Sequence, residues 1–424
     1  MPMNTKLSRN WLTTLGLLLL LMLAACTSPP PRPPASPFEQ DVFEATDALA
    51  GQWRGKAPFR PRWPAQRLAL GPFVDLSTAS TAQGAAFGWR QTVAAVRVRQ
   101  VVAQHIEQIL PGIRLVPATL GSADDQADLL LSASLIPFVS RDQSASPAGR
   151  PNAAGGNPNP PLMLTLVLLD LKTRNVVARW QSPLRTQAAD ANPSPFDAES
   201  PVLINQSAAE GRSTLFSAPM HTAIDGPSVQ DALGLARLEQ AQQAYASGHY
   251  PKALNLFQEV AAKSPEQALR AANGEYLSYL KLGQPEAAKQ AFKRVVAMGL
   301  ASRRLAVKLL FTPGQTEFWA DPAVSGAYGF WLQEISTQAA AAPTCLEIAG
   351  HTSRSGTEAF NLGLSLARSE RVRQTLLAQQ PRLAGRLRAS GKGWSENIVG
   401  SGSDDARDAI DRRVEFKVAD CAAL

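Results

Sequence analysis

"GHTSRSGTEAFNLGLSLARSERV", residues 350–372, is the stretch from which the fold of the C-terminal part follows. It reads as the end of a strand, a loop and a helix. On that helix Asn361, Ser365 and Arg368 stand at i, i+4 and i+7 and share one face. This face borders a stripe of Leu362, Leu366 and Leu376, which is expected to line the edge of the core. A cation with two hydrogen-bonding groups beside a core edge suits a carboxylate, because the planar fork of arginine binds one bidentately. On the residues alone, a solvated helix face with an incidental arginine is the other reading.

The pattern around this stretch extends over residues 301–424. "LAVKLLFTPGQTEF" gives a strand and a loop, "AYGFWLQEISTQA" a helix and "TCLEIAGHTSRSG" a second strand and loop; "GKGWSENIVGSG" and "DRRVEFKVADC" follow as the last strands. In this order "GHT", Asn361, "LSLAR" and "DRRVEF" resemble the signature stretches of the OmpA-like peptidoglycan-binding domain, a βαβαββ fold. The resemblance implies a pocket that grips the diaminopimelate of the peptide stem without covalent chemistry. It assigns the stem carboxylate to Arg368, with Asn361 and Arg412 in the same site. One position departs: the family usually has Asp directly after "GHT", and this chain has Ser353. The family's Asp attracts the ammonium of diaminopimelate, whereas Ser353 offers a hydrogen bond and no charge. Either Glu358, Asp404 or Asp405 replaces it, or affinity falls, or the ligand differs.

Upstream, residues 229–300 carry an internal repeat. "AYASGHYPKALNLFQEVAAKSP" and "SYLKLGQPEAAKQAFKRVVAMG" align so that Gly248 and Gly283, Ala253 and Ala288, and Phe257 and Phe292 all recur at 35 residues. They resemble tetratricopeptide repeats, in which a small alanine lets two helices approach and phenylalanine fills the gap between hairpins. The family implies a protein-binding concave face. Two repeats fall short of the three or so that stand alone, so docking on a neighbouring domain is the competing expectation.

Residues 66–190 read as an α/β domain. "RLALGPFVDL" is a strand, "WRQTVAAVRVRQVVAQHIEQIL" an amphipathic helix and "IRLVPA" a strand. "ADLLLSASLIPFV" follows, and then "LMLTLVLLDLKTRNVVARW", a hairpin turning at "DLKTRN". The order resembles the N-terminal domains of outer-membrane accessory lipoproteins, such as those serving curli secretion, flagella and penicillin-binding-protein activation; an unrelated α/β sandwich would give the same pattern. A low-complexity linker is expected over residues 191–228. The chain as a whole is thus expected to be multidomain: α/β, then all-α, then α/β.

At the N-terminus Lys6 and Arg9 precede the short apolar run "WLTTLGLLLLLMLAAC", an export signal over residues 1–25. Its ending, Leu23, Ala24, Ala25 and Cys26, resembles the lipobox of bacterial lipoproteins. That resemblance implies that Cys26 is acylated and that, with Thr27 after it, the protein sits in the outer membrane facing the periplasm. "TSPPPRPPASP" then looks like a stiff spacer within a lipidated anchor and linker of residues 26–65. Export leads to an oxidising compartment, where the remaining Cys345 and Cys421 are most simply a disulfide, two free buried thiols being the alternative.

A net charge of +7 is mild for 424 residues, and no basic block with interleaved aromatics points to nucleic acid. The four histidines, His105, His221, His249 and His351, have no zinc spacing. No phosphate loop or nucleophile elbow is present, and "GSGSDDARD" lacks the spacing of a calcium loop. No catalysis, metal or cofactor is therefore expected. Two functions remain: an outer-membrane lipoprotein that binds peptidoglycan and scaffolds envelope partners, or an accessory lipoprotein of a wall-synthesis or surface-secretion complex. In the second the α/β domain is the active part. A protein partner would meet the repeats or that domain.

Overall fold

Helix α1 (Pro37–Arg54) precedes strand β1 (Gln66–Asp75), helix α2 (Val93–Ile109) and strands β2 (Ile113–Val116), β3 (Leu129–Pro137), β4 (Leu162–Asp170) and β5 (Val176–Leu184). The computed structural model describes residues 35–55, 66–76, 92–121, 127–137, 162–187, 194–202, 214–303, 305, 307–398, 402 and 406–423. The export signal, Cys26, the proline-rich spacer up to residue 34, Asp404 and Asp405 lie outside them.

The five strands form one sheet in the order β2-β1-β3-β4-β5, parallel on either side of β1 and antiparallel from β3 onward. The near-continuous apolar runs of β3 and β4 fit strands covered on both faces. Leu129, Leu131, Ala133 and Leu135 of β3 pack in a core with α1 and α2, while Leu130 belongs to the core on the opposite side.

Helix α1 corrects the expectation of a linker through residue 65. Phe38, Val42, Ala45 and Leu49 recur every three or four residues and are all buried, a packing face that the preceding run of prolines conceals. Pro37 is compatible with that helix because the first helical residue needs no N–H partner. Asp41 ties the helix to the end of β5 by accepting from Arg185 Nη2 at 2.6 Å. The expected linker of residues 191–228 is likewise partly structured. It contains the helical turns Pro195–Glu199 and Thr214–Ser217, and buries Phe196, Val202, Leu215 and Phe216. These few large apolar side chains are diluted by polar residues and carry no periodicity.

Four helices follow: α3 (Gly226–Ala246), α4 (Tyr250–Lys263), α5 (Ala268–Lys281) and α6 (Pro285–Ala301), each packed on the next. Gly248 and Gly283 turn the two hairpins with φ of 77° and 68°, where any other residue would be strained. The ring of Phe257 lies against Gly274, whose added Cβ would meet it at 2.3 Å.

Helix α3 docks on β1 through a buried ion pair. The pairing of β1 with β3 slips between Leu70 and Phe73, which takes the Phe73 N–H out of the regular ladder. Glu239 of α3 accepts that N–H at 2.9 Å, and it also pairs with Arg99 Nη1 of α2 at 2.8 Å. Arg99 donates again to Gly71 O at 2.7 Å. Burial pushes the Glu239 carboxyl up to about 7 in spite of Arg99 beside it. The other face of the sheet is thereby shared with the helices, and Pro37–Leu424 form one compact unit.

The last part runs β6 (Lys308–Leu310), α7 (Tyr328–Ala341), β7 (Cys345–Gly350), α8 (Glu358–Gln379), β8 (Leu387–Gly391) and β9 (Arg413–Ala419), with the sheet ordered β6-β9-β7-β8. Helix α7 joins it to the four-helix array: Trp331 stacks on Phe292 at 5.4 Å and donates its indole N–H to Tyr276 OH at 3.0 Å. Cys345 and Cys421 are joined in a disulfide, with Cα atoms 5.2 Å apart. Among the described residues no helix is long and apolar enough to cross a membrane.

Candidate functional site

Three loops and one helix meet above β6 and β7. The loop after β6 turns at Gly314 with φ 66°, and Phe311 N donates to Arg412 O at 2.9 Å. Strand β7 continues into His351, Thr352 and Ser353, where His351 N donates to Arg413 O at 2.8 Å and Thr352 N to Gly393 O at 2.9 Å. Helix α8 begins at Thr357, whose hydroxyl accepts the Phe360 N–H and satisfies one of the unpaired N–H groups of the first turn.

Side chains of α8 hold the loops in place. Asn361 Nδ2 donates to Ser355 O at 2.7 Å and to Thr357 O at 2.9 Å, folding the loop of residues 352–357 back onto the helix. Arg368, fully buried, donates to Gln315 O at 2.8 Å, Thr312 O at 2.9 Å and His351 O at 3.2 Å, and stacks over the Phe311 ring at 5.2 Å. These carbonyls and the ring face fix the position of its guanidinium. Arg412 is also buried and lies over the Trp319 ring at 5.4 Å.

Between these groups lies a cleft of about 140 Å³. Ser353, Asn361, Arg368 and Arg412 all line it, so the four positions singled out in the sequence converge on one space. Phe360 stands at the cleft as well, 56 % exposed.

The face of α8 turned to the protein differs from the expected one. Leu376 is buried, but Leu362 and Leu366 are 43 % and 47 % exposed, and Asn361, Ser365, Arg368 and Ser369 are buried instead. Close approach is the cause. A Cβ on Gly350 would fall 1.9 Å from Ser365 O, and one on Gly391 would fall 2.7 Å from Leu362 O. The helix backbone rests directly on these two strand ends, and a leucine there would not fit.

Residues 310–411 match the model of the OmpA family. The C-terminal region is an OmpA-like domain. Similar solved structures include the peptidoglycan-associated lipoprotein from Burkholderia pseudomallei, at 24% identity with a TM-score of 0.24, covering 26% of this chain and 89% of that one. The cell wall anchor of the T6SS from Pseudomonas aeruginosa is 23% identical with a TM-score of 0.23, over 30% of this chain and 95% of that one. The periplasmic domain of Helicobacter pylori MotB (residues 90-256) is 16% identical with a TM-score of 0.21, over 27% and 74%. No curated protein matches the chain.

Beneath the cleft of the OmpA-like domain lies a charged cluster that the sequence reading missed. His351 Nε2 is 3.4 Å from Glu415 Oε1, and its Nδ1 is 4.0 Å from Glu396 Oε2. Arg413 Nε meets Glu415 Oε2 at 3.1 Å, and Lys417 Nζ meets Glu396 Oε2 at 3.0 Å. The three donor groups lie within 4.8 Å of one another, a spacing that a metal ion could use, but the two cations of β9 already balance the two carboxylates. Burial, together with Arg413, lowers His351 to about 4, so the ring is neutral at pH 7. Burial acts the other way on Glu415, where Arg413, His351 and Lys417 overcome it and hold the carboxyl well below the usual carboxylate range. The signal for this cluster was in "DRRVEFK": Arg413, Glu415 and Lys417 alternate along a strand and so point to one face.

Proposed function

We propose that the OmpA-like domain holds peptidoglycan non-covalently, by the diaminopimelate of its peptide stems, in the cleft over β6 and β7. The convergence of Ser353, Asn361, Arg368 and Arg412 on one cleft carries this reading. Two guanidiniums beside hydroxyls and an amide suit a carboxylate. Arg368 and Asn361 also build the walls, so binding and cleft shape depend on the same side chains. With Cys26 acylated, the chain would join the outer membrane to the wall from the periplasmic side and scaffold envelope partners. It acts as a binding protein and catalyses nothing.

The test is sedimentation of the full chain, in detergent, with purified peptidoglycan. Wild type should pellet with the wall, and Arg412→Ala and Arg368→Lys should shift to the supernatant, with thermal melts showing each variant folded. A wild-type chain that stays in the supernatant at every wall concentration rejects the reading. Labelling with a lipid precursor, in wild type and Cys26→Ala, tests the anchor separately.

A further inference from the structure

Residues 194–202, "SPFDAESPV", meet both the helical array and the C-terminal sheet, and they do so at a few separate points. Ser194 caps the turn Pro195–Glu199 by accepting the Asp197 N–H. Phe196, Glu199 and Ser200 stand at i, i+3 and i+4 and so project from one side of it. The Phe196 ring stacks on Phe257 of α4 with centroids 5.6 Å apart and stands edge-on to Tyr245 of α3 at 5.4 Å. Glu199 accepts from Tyr245 OH at 2.6 Å and pairs with Lys281 Nζ of α5 at 2.9 Å. Ser200 Oγ accepts from Asn273 Nδ2 of α5 at 2.8 Å. The segment then runs onto β6, the end strand of its sheet: Lys308 N donates to Pro201 O at 2.8 Å, and Val202 forms an antiparallel bridge with Val307.

These are two of the ways in which a folded surface takes up a short peptide: side-chain anchors one helical turn apart, and main-chain bonds to the edge of a sheet. A short segment held at such points opens at lower free energy than the helices and sheets beneath it. We propose that residues 194–202 are an internal ligand, and that the seat made by Tyr245, Phe257, Asn273 and Lys281 takes partner segments of the same chemistry, an aromatic side chain followed one helical turn later by a carboxylate, when they displace it. An occupant carried on the same chain competes at an effective concentration of roughly millimolar order, so the seat is closed to weak or scarce partners. The proposal deepens the scaffolding part of the reading above and is independent of the cleft, so its failure leaves wall binding as it stands.

The experiment uses the full chain in detergent and a fluorescent synthetic peptide that copies residues 194–202. In the double variant Phe196→Ala with Glu199→Ala the seat loses its own anchors, and the peptide should bind at least about ten-fold tighter than to wild type. Lys281→Glu added to that variant should abolish the gain, and a peptide carrying the same two alanines should bind neither protein. In wild type, excess unlabelled peptide should speed hydrogen exchange over residues 194–202 and leave α8 and β7 unchanged. The proposal is overturned if the opened chain, shown folded by a cooperative melt, binds the peptide no better than wild type does or no better than it binds the alanine control. A gain that survives Lys281→Glu overturns the seat. Should the double variant fail to fold, wild type decides: faster exchange confined to residues 194–202 supports the proposal, and exchange there that excess peptide leaves unchanged overturns it.

Discussion

Helices α2 and α8 each lie on a sheet and each bury an arginine, but they bury opposite faces. Helix α2 turns Val98, Val102 and Ile106 inward, and its Arg99 is matched by the carboxylate of Glu239 at 2.8 Å. Helix α8 turns Asn361, Ser365, Arg368 and Ser369 inward, leaves Leu362 and Leu366 half exposed, and spends Arg368 on the carbonyls of three loop residues. A buried arginine with its own carboxylate is internal structure, joining α3 to the first sheet. One that donates to the carbonyls of three loop residues shapes the wall of a cleft. The two helices separate what joins the first sheet to the helices from what shapes the cleft.

The comparison breaks first at Glu239. Removing one member of a buried pair strands the other, so Glu239→Ala should cost about 3–5 kcal/mol in urea unfolding. The double replacement Arg99→Met with Glu239→Leu should recover most of that loss, since neither charge is then left behind. A single variant that loses less than about 1 kcal/mol would mean that Arg99 and Glu239 are not the joint between sheet and helices.

Acid sharpens the contrast from the other side. His351 is held at about 4 in the folded protein against 6.5 in the unfolded chain. Its contribution to stability is therefore complete above pH 6.5 and is lost as pH falls from 6.5 towards 4, roughly 3 kcal/mol by the constant of 1.36 kcal/mol per unit. Glu415, also depressed, adds a loss in the same direction below the carboxylate range. Glu239, raised to about 7, adds stability as pH falls through the same range and opposes this loss. The test is therefore a difference: in urea unfolding between pH 7 and 4, His351→Gln should lose less stability than wild type, by up to roughly 3 kcal/mol. Equal slopes for both proteins would rule out His351 as the source.

A smaller effect is expected where α8 touches the sheet. Gly350→Ala puts a methyl 1.9 Å from Ser365 O, which the backbone cannot yield without moving α8. Overpacking of this kind costs about 1–3 kcal/mol. Because Ser365 also accepts Gly393 N at 3.0 Å, the same shift should disturb the cleft and weaken wall binding more than stability. Thermal melts and sedimentation on one preparation would separate the two effects.

The order of strands and helices in the C-terminal part was legible because each element there has its own period and its own turn residues. The four cleft residues could be named because the motif stretches fix them one by one. Helix α1 was not, since its apolar residues follow a proline-rich run and form a single stripe that only the sheet makes meaningful. The inward face of α8 was misjudged for a different reason. Hydropathy assigns leucines to the core, but at Gly350 and Gly391 the sheet comes so close that only a small side chain such as that of Ser365 fits. The buried cluster around His351 depends on β7, β9 and Glu396 meeting in space, and no one segment of sequence carries that.

The smallest expected effect is the most pointed test of the comparison. If α8 does half expose Leu362 and Leu366, the double change to Gln removes few packed methyl groups and should alter unfolding stability by no more than about 0.5 kcal/mol. A leucine pair in the core would cost several times more, as buried leucine truncations do, at about 2–5 kcal/mol each. The two residues lie on the side of the helix near Gly393, where a Cβ would come within 3.4 Å of Leu362, so the double variant also probes the loop that carries Gly393. Unchanged stability with unchanged sedimentation would leave Asn361, Ser365 and Arg368 as the face that α8 uses. A loss of more than about 1 kcal/mol would put the leucines back in the core and return α8 to the same type as α2.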